Sequence, residues 1–321
     1  MPFEREAAAN SRPRPVLCAL SYGATLGCPP VYAGSNDAPR RRWWLATTAF
    51  SCAAAAFAPR GWFCSMLLVI DVGNTNTTLG VYAGSNLVAH WRLTTERERT
   101  VDEYGILCRN LFTFSQLDPR DIEGIAIASV VPPLNFTFFR MAQTYFGREP
   151  FFVKPTENVG MPIRYDAPQD VGADRIVNAV AAYARYGGPC VVVDFGTATT
   201  FDAISEDGAY LGGVIAPGIV ISAEALFQRA ARLPRVSIAH PAQVVGRSTI
   251  GSIQSGLYFG YIGLVEGILQ RMQSEMGNLQ AVIATGGLSR LIGKGSPLIT
   301  EIDENLTLEG LRLIYQRATQ A

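Results

Sequence analysis

The chain has 321 residues with 27 basic and 27 acidic side chains, so its formal charge at neutral pH is zero. That balance excludes a broad electrostatic pull toward nucleic acid or an anionic membrane as partner. A composition that is 48% hydrophobic and 17% charged fits a globular chain long enough for one large domain or two ordinary ones. The cysteines carry no C-x-x-C spacing, and His90 and His240 are the only histidines, which argues against a zinc site. Lys154 and Lys294 are the only lysines, so a phosphate-binding lysine would have just these candidates.

From Met1 to Ser65 the sequence is rich in Ala, Arg, Pro, Cys and Trp, without a sustained period of strand or helix. Arg40-Arg41-Arg42 followed by the apolar run Trp43 to Ala58 imitates a signal peptide but lies far from the N-terminus. Residues 1–65 are therefore read as an extension, with Met66 as the expected true start.

The ordered pattern begins at Leu67 to Asp71, a continuous apolar run that ends in an acid, as in a buried strand. Strands are predicted at Thr78 to Ala83 and Leu87 to Leu93, joined by a turn at Gly84, Ser85 and Asn86. A helix over Val101 to Phe114 follows, then a strand (Gly124 to Ser129), a helix (Leu134 to Phe146), a strand (Pro150 to Val153) and a helix (Ala173 to Tyr186). The plan then restarts with an apolar run ending in Asp, Cys190 to Asp194, and strands at Thr200 to Ile204 and Tyr210 to Ile215. A helix near Gly218, a long helix over Thr249 to Met276, a strand (Ala281 to Ala284) and helices at Ser289 to Ile292 and Thr307 to Arg317 complete it.

Residues repeat as well as elements. Ile70-Asp71-Val72-Gly73-Asn74-Thr75 and Val193-Asp194-Phe195-Gly196-Thr197 share the order apolar-Asp-apolar-Gly-polar. Two β-β-β-α-β-α-β-α halves, 66–187 and 188–321, each opening on Asp-x-Gly, describe a duplicated α/β fold of the actin/Hsp70/sugar-kinase (ribonuclease H-like) type. A nucleotide binds in the cleft between such halves.

In Asp71-Val72-Gly73-Asn74-Thr75-Asn76-Thr77-Thr78, glycine permits a tight turn, and small polar residues offer N–H and hydroxyl groups to phosphate oxygens. A plain hairpin turn is the alternative. Asp194 through Thr200 would form the facing turn, with Mg²⁺ near Asp71; alternatively Asp194 caps a turn and binds nothing. Gly293-Lys294-Gly295 is not a Walker A loop, since no Ser or Thr follows the lysine. Asp174, at a helix start, is either a dipole partner or the base that accepts a hydroxyl proton. Arg175 is either an ion-pair partner or the holder of a substrate carboxylate. Ala284-Thr285-Gly286-Gly287 could lie against a flat adenosine ring or be a simple turn.

In this order the segments resemble the type III pantothenate kinases along nearly the whole stretch from Met66 onward. The resemblance rests on Asp71 to Asn76, Tyr165-Asp166-Ala167-Pro168, Gly172-Ala173-Asp174-Arg175, Asp194 to Thr200, and Gly246-Arg247-Ser248-Thr249. It implies transfer of the ATP γ-phosphate to the primary hydroxyl of pantothenate, the first step of coenzyme A synthesis, in the cytoplasm. It further implies that Asp71 to Thr78 and Thr197 bind ATP and that Asp194 holds a monovalent cation, K⁺ or NH₄⁺. Tyr165, Gly172, Ala173, Asp174, Arg175 and Thr249 would line the pantothenate site, with Asp174 as base, in a homodimer whose substrate lies near the subunit interface. Two rivals keep the scaffold: a non-catalytic regulator of the Bvg accessory factor kind, and a kinase for a sugar or an acetate-like acid. The intact Asp174-Arg175 pair and the two phosphate turns weigh against the regulator, and Tyr165 with Gly172 to Arg175 favours pantothenate by resemblance.

Overall fold

The computed structural model describes residues 65–320 apart from Asn158, so the reading of the N-terminal extension and its apolar run lies outside the described residues. The first half opens with the antiparallel strands β1 (Met66–Val72), β2 (Asn76–Ala83) and β3 (Asn86–Thr94). Helix α1 (Val101–Phe114) starts at a capping box in which the Thr100 hydroxyl accepts the Glu103 N–H and the Glu103 carboxylate accepts the Thr100 N–H. Strand β4 (Ile122–Ser129) returns parallel to β1 and is followed by α2 (Pro132–Met141), β5 (Phe151–Phe152) and α3 (Ala173–Tyr186).

The second half repeats this course with β6 (Cys190–Phe195), β7 (Ala198–Ile204), β8 (Tyr210–Pro217), α4 (Ile219–Arg229) and α5 (Thr249–Met276). It closes with β9 (Ala281–Thr285), α6 (Ser289–Gly293), β10 (Glu301–Ile302) and α7 (Leu306–Gln320). The strand orders are β3-β2-β1-β4-β5 and β10-β9-β6-β7-β8, the same order once β6 is set on β1. The fold is thus the duplicated α/β architecture expected.

The apolar runs of β1 and β6 follow from burial on both faces. Leu68, Ile70 and Val72 face a core with α1 and α2, whereas Leu67 and Val69 face the opposite way. In β6, Val191, Val193 and Phe195 face a core with α5, and Cys190 and Val192 join Leu67 and Val69. That central core also takes Ile176, Val177 and Val180 of α3 and Leu308, Leu311 and Ile314 of α7, so both sheets share it. Side-chain period two then puts Asp71 with Leu67 and Val69, and Asp194 with Cys190 and Val192. Both acids therefore point to the side where the halves meet.

Most strands run one or two residues beyond the sequence expectation, and three further differences stand out. Helix α2 begins at Pro132 because proline suits the first helical turn, and from Ala142 to Phe146 it continues as a π-helix. Strand β5 is only two residues long. Strand β10 was not foreseen, since a two-residue strand shows no alternation to read.

Candidate active site

A cavity of about 230 Å³ lies between the halves, lined from β1 and β2 by Asp71, Gly73, Asn74, Thr75, Asn76 and Thr78. The second half contributes Asp194, Gly196, Thr197, Ala198 and Thr200, and α3 contributes Asp174. Val72 and Thr77 alternate away from it and are buried. Each turn is closed by its glycine, the second being one residue shorter: Gly73 N–H donates to the Asn76 carbonyl at 3.0 Å and Gly196 N–H to the Ala198 carbonyl at 3.1 Å. Their tips touch, with the Thr75 and Thr197 hydroxyl oxygens 2.7 Å apart.

Three half-buried carboxylates face this space, and the charge of Asp174 makes both Asp71 and Asp194 harder to ionise. Burial first, then the charges of Asp174 and Asp194, push the Asp71 carboxyl well above the usual range. Burial, then Asp174 and Asp202, push Asp194 up to about 7. Asp174 is raised mainly by burial, against the pull of the Arg175 backbone N–H, which donates to its Oδ1 at 2.8 Å. Gly172 is the N-cap of α3, so Asp174 sits in the first turn, where the helix dipole favours its anion.

Asn178, one turn further along α3, orients Asp194. Its amide donates to Asp194 Oδ2 at 3.1 Å, while its carbonyl accepts the Thr307 hydroxyl at 2.7 Å. Behind Asp194, Gly286 adopts φ +88°, and a Cβ there would lie 2.4 Å from Asp194 Oδ1. Only glycine fits that approach.

Arg175 points away from the cavity into a buried pair. Its Nε donates to Asp202 Oδ1 at 2.6 Å, and Asp202 also accepts the Tyr210 hydroxyl at 2.9 Å and the Thr200 hydroxyl at 3.2 Å. Burial outweighs the pull of Arg175 and pushes Asp202 up to about 6. Tyr165 lies beside this group, its ring 6.3 Å from that of Tyr210 and covering Gly212. Gly172, Ala173, Asp174, Arg175 and Tyr165 thus form one region running from the cavity toward β8. Thr249 does not join it within the chain: it begins α5 and lines a separate cavity with Leu226, Leu233 and Arg247.

Sequence reading missed Asp202, Asn178 and Arg92. A lone acid inside the apolar strand Thr200 to Ile204 is a signal of a partnered buried charge, and Asp174 and Asn178 share a face by their i, i+4 spacing. Arg92 lines the cavity from β3, where the alternation Trp91-Arg92-Leu93 reads as an ordinary solvent-facing position.

Duplicated halves, paired Asp-x-Gly turns and an acidic cavity between them define a phosphotransferase of the actin and sugar-kinase class. A family model described as type III pantothenate kinase matches residues 67–271. A type III pantothenate kinase of Koribacter versatilis is 58% identical over 262 residues, covering 78% of this chain and 96% of its own length. Another, of Myxococcus xanthus, is 56% identical over 252 residues, covering 78% and 98%. This chain belongs to the type III pantothenate kinase family, whose reaction is ATP-dependent phosphorylation of pantothenate in coenzyme A biosynthesis. Among solved structures, a conserved Baf family protein from Campylobacter jejuni, described as a transcriptional activator, superposes with a TM-score of 0.51 at 21% identity. It covers 79% of this chain and 100% of its own, and the likeness is one of fold.

Proposed function

We propose that this chain binds ATP through Asp71 to Thr78 and Thr197 and passes the γ-phosphoryl group to the primary hydroxyl of pantothenate, with Asp174 as base. The observation that carries this reading is the position of Asp174: it lines the same cavity as both phosphate turns, in the first turn of a helix. In the step, the hydroxyl oxygen bonds to the γ-phosphorus, the bond to the ADP oxygen breaks, and the hydroxyl proton passes to the Asp174 carboxylate. A carboxyl raised above its ordinary value is the stronger base for that proton. Positioning and charge neutralisation do the remainder, as in other phosphoryl transfers.

The residues fit the ions that the family implies. No group of three or more His, Cys, Asp or Glu side chains forms a cage among the described residues. Mg²⁺ needs none, because it binds through one or two carboxylates together with phosphates and water. Asp71 would hold it, directly or through water, and Mg²⁺ would supply charge neutralisation on the phosphates. Asp194 suits a monovalent cation, K⁺ or NH₄⁺: Oδ2 is taken by Asn178, Oδ1 has no hydrogen bond among the described residues, and the carboxyl needs a positive neighbour to ionise readily.

Pantothenate would lie along Tyr165 and Gly172 to Arg175. Asp202 holds Nε of Arg175, so the substrate carboxylate would meet the outer edge of the guanidinium. Thr249 would come from a second copy in a homodimer. In support, β8, α4 and the start of α5 expose Ile215 (64%), Val220 (56%) and Ile250 (51%), an apolar face of the kind that marks association. Among the described residues no helix is long and apolar enough to cross a membrane, and we assign the reaction to the cytoplasm, where ATP is made available.

The test is ADP release by the full chain with Mg²⁺-ATP and K⁺, with and without pantothenate, for the parent and Asp174→Asn. The expected result is pantothenate-dependent ADP in the parent and a fall of about 10²–10⁴ in turnover in the variant, with ATP binding kept. Near-normal turnover in the variant would remove Asp174 from the role of base.

A further inference from the structure

The cavity between the halves is short of positive charge. Its lining holds four acids, Asp71, Asp174, Asp194 and Glu304, and one basic residue, Arg92. Neither lysine of the chain lines it. A nucleoside triphosphate brings several further negative charges into such a space, and phosphate is held best by cations and backbone donors together.

Arg92 is placed for that task by the strand register. Asp71 pairs with Thr78, and Thr78 pairs with Arg92, so the three form one row across β1, β2 and β3. Directly opposed residues share a face of the sheet, which puts Arg92 on the face of Asp71. Its guanidinium then extends toward the other half: Nη1 lies 2.9 Å from where a Cβ on Gly287 would stand. Arg92 thus reaches from the first phosphate turn to the Gly286-Gly287 turn that follows β9.

Its charge eases the ionisation of Asp71 and Asp194, but its guanidinium has no bonded partner among the described residues. Among the described residues Arg92 makes no hydrogen bond to a side chain and no ion pair, whereas Arg290 is paired with Glu304 at 2.6 Å. Arg97, at the rim, donates to the Asn74 side chain at 3.3 Å. The duplication supplies an internal control. The matching row in the second half is Asp194, Thr200 and Ile215, with an apolar residue at the place of Arg92. The sheet itself therefore does not require a cation there, and only one side of the cavity carries it.

We propose that Arg92 binds the phosphate chain of the nucleotide, spanning the cavity from β3 to the Gly286-Gly287 turn. The proposal rests on the reading of this cavity as the ATP site. It makes Arg92 the side-chain counterpart of the backbone donors in the two turns, in the place that a lysine occupies in Walker A proteins. A planar fork with several donors suits two phosphate oxygens at once, so lysine would replace it only in part.

The experiment is calorimetric titration of the full-length parent, Arg92→Gln and Arg92→Lys with ATP, ADP and adenosine, without pantothenate, alongside thermal melts of the free proteins. The expected result is a loss of about tenfold or more in ATP and ADP affinity for Arg92→Gln. Arg92→Lys should fall between, adenosine affinity should stay within a factor of about two, and the melting temperature should be unchanged. Equal ATP affinity in parent and Arg92→Gln would overturn the proposal alone. Equal losses for adenosine and ATP would overturn it as well, assigning Arg92 to the base or to the shape of the cavity. Absence of ATP binding by the folded parent would overturn both the proposal and the nucleotide reading beneath it.

Discussion

Removing the Asp202 carboxylate isolates a charge inside the protein. Asp202 is fully buried, the Arg175 side chain is 9% exposed, and the two meet at 2.6 Å. Asp202→Leu leaves the guanidinium without its counter-charge and the Tyr210 hydroxyl without the acceptor it reaches at 2.9 Å. Breaking a buried pair from one side costs about 3–5 kcal/mol. For a chain of this size that corresponds to a fall of roughly 6–20 °C in melting temperature, at about 2–4 °C per kcal/mol. Arg175→Met should cost a similar amount, because it leaves a buried carboxylate. The double variant removes both charges and should lie closer to the parent than either single variant, with about 1–3 kcal/mol remaining from the stranded Tyr210 hydroxyl. Urea unfolding followed by circular dichroism measures all four proteins at one pH. Costs that simply add in the double variant would refute the reasoning, since a coupled pair requires non-additivity. Pantothenate-dependent turnover should not recover in the double variant, because the arginine assigned to the substrate carboxylate is gone.

The pH dependence of stability should carry the signature of the cavity acids. Asp194 is raised to about 7 and Asp202 to about 6, so the folded state holds protons that the unfolded chain has lost. Stability of the ligand-free protein should therefore fall as pH rises from about 4 to 7 and remain lowered above that window. Thermal melts across this range should show the fall, and Asp194→Asn should lessen it, leaving the part carried by Asp202; if Asp194 holds the proposed cation, the variant should also lose any response of turnover to K⁺. A flat parent profile would contradict the burial argument. The exposed face of β8, α4 and α5 should mediate self-association: Ile215→Asp should convert a dimer into a monomer by light scattering and weaken pantothenate binding through loss of Thr249 from the second copy. A variant that stays dimeric would move the interface elsewhere.

Much of the fold is readable before any coordinates because its central strands are buried on both faces. Leu67 to Asp71 and Cys190 to Asp194 are uninterrupted apolar runs for that reason, and the two helices Val101–Phe114 and Ala173–Tyr186 match the helical spacing of the sequence end to end. The turn residues Asp71 to Thr78 and Asp194 to Thr200 are legible as motifs because a local turn needs local chemistry. Arg92, Asn178 and Asp202 are not, since what distinguishes them is a partner far along the chain: Thr307 lies 129 residues from Asn178, and Asp202 lies 27 from Arg175. Strand pairing decides that Arg92 faces the acids, and the alternation around it is the same as at any surface position. Thr249 illustrates the opposite case: its motif is plain in sequence, yet within the chain it lines a separate cavity.

The contact between the Thr75 and Thr197 hydroxyls has a kinetic consequence. With the tips of the two turns joined, the space behind them is about 230 Å³, smaller than the roughly 300–1,000 Å³ that a bound small molecule ordinarily occupies. If ATP occupies the site proposed here, a ligand larger than this space requires the tips to part, and its entry would be gated by that contact. The observed rate of association would then level off as nucleotide concentration rises, and its plateau would report how often the two threonines let go.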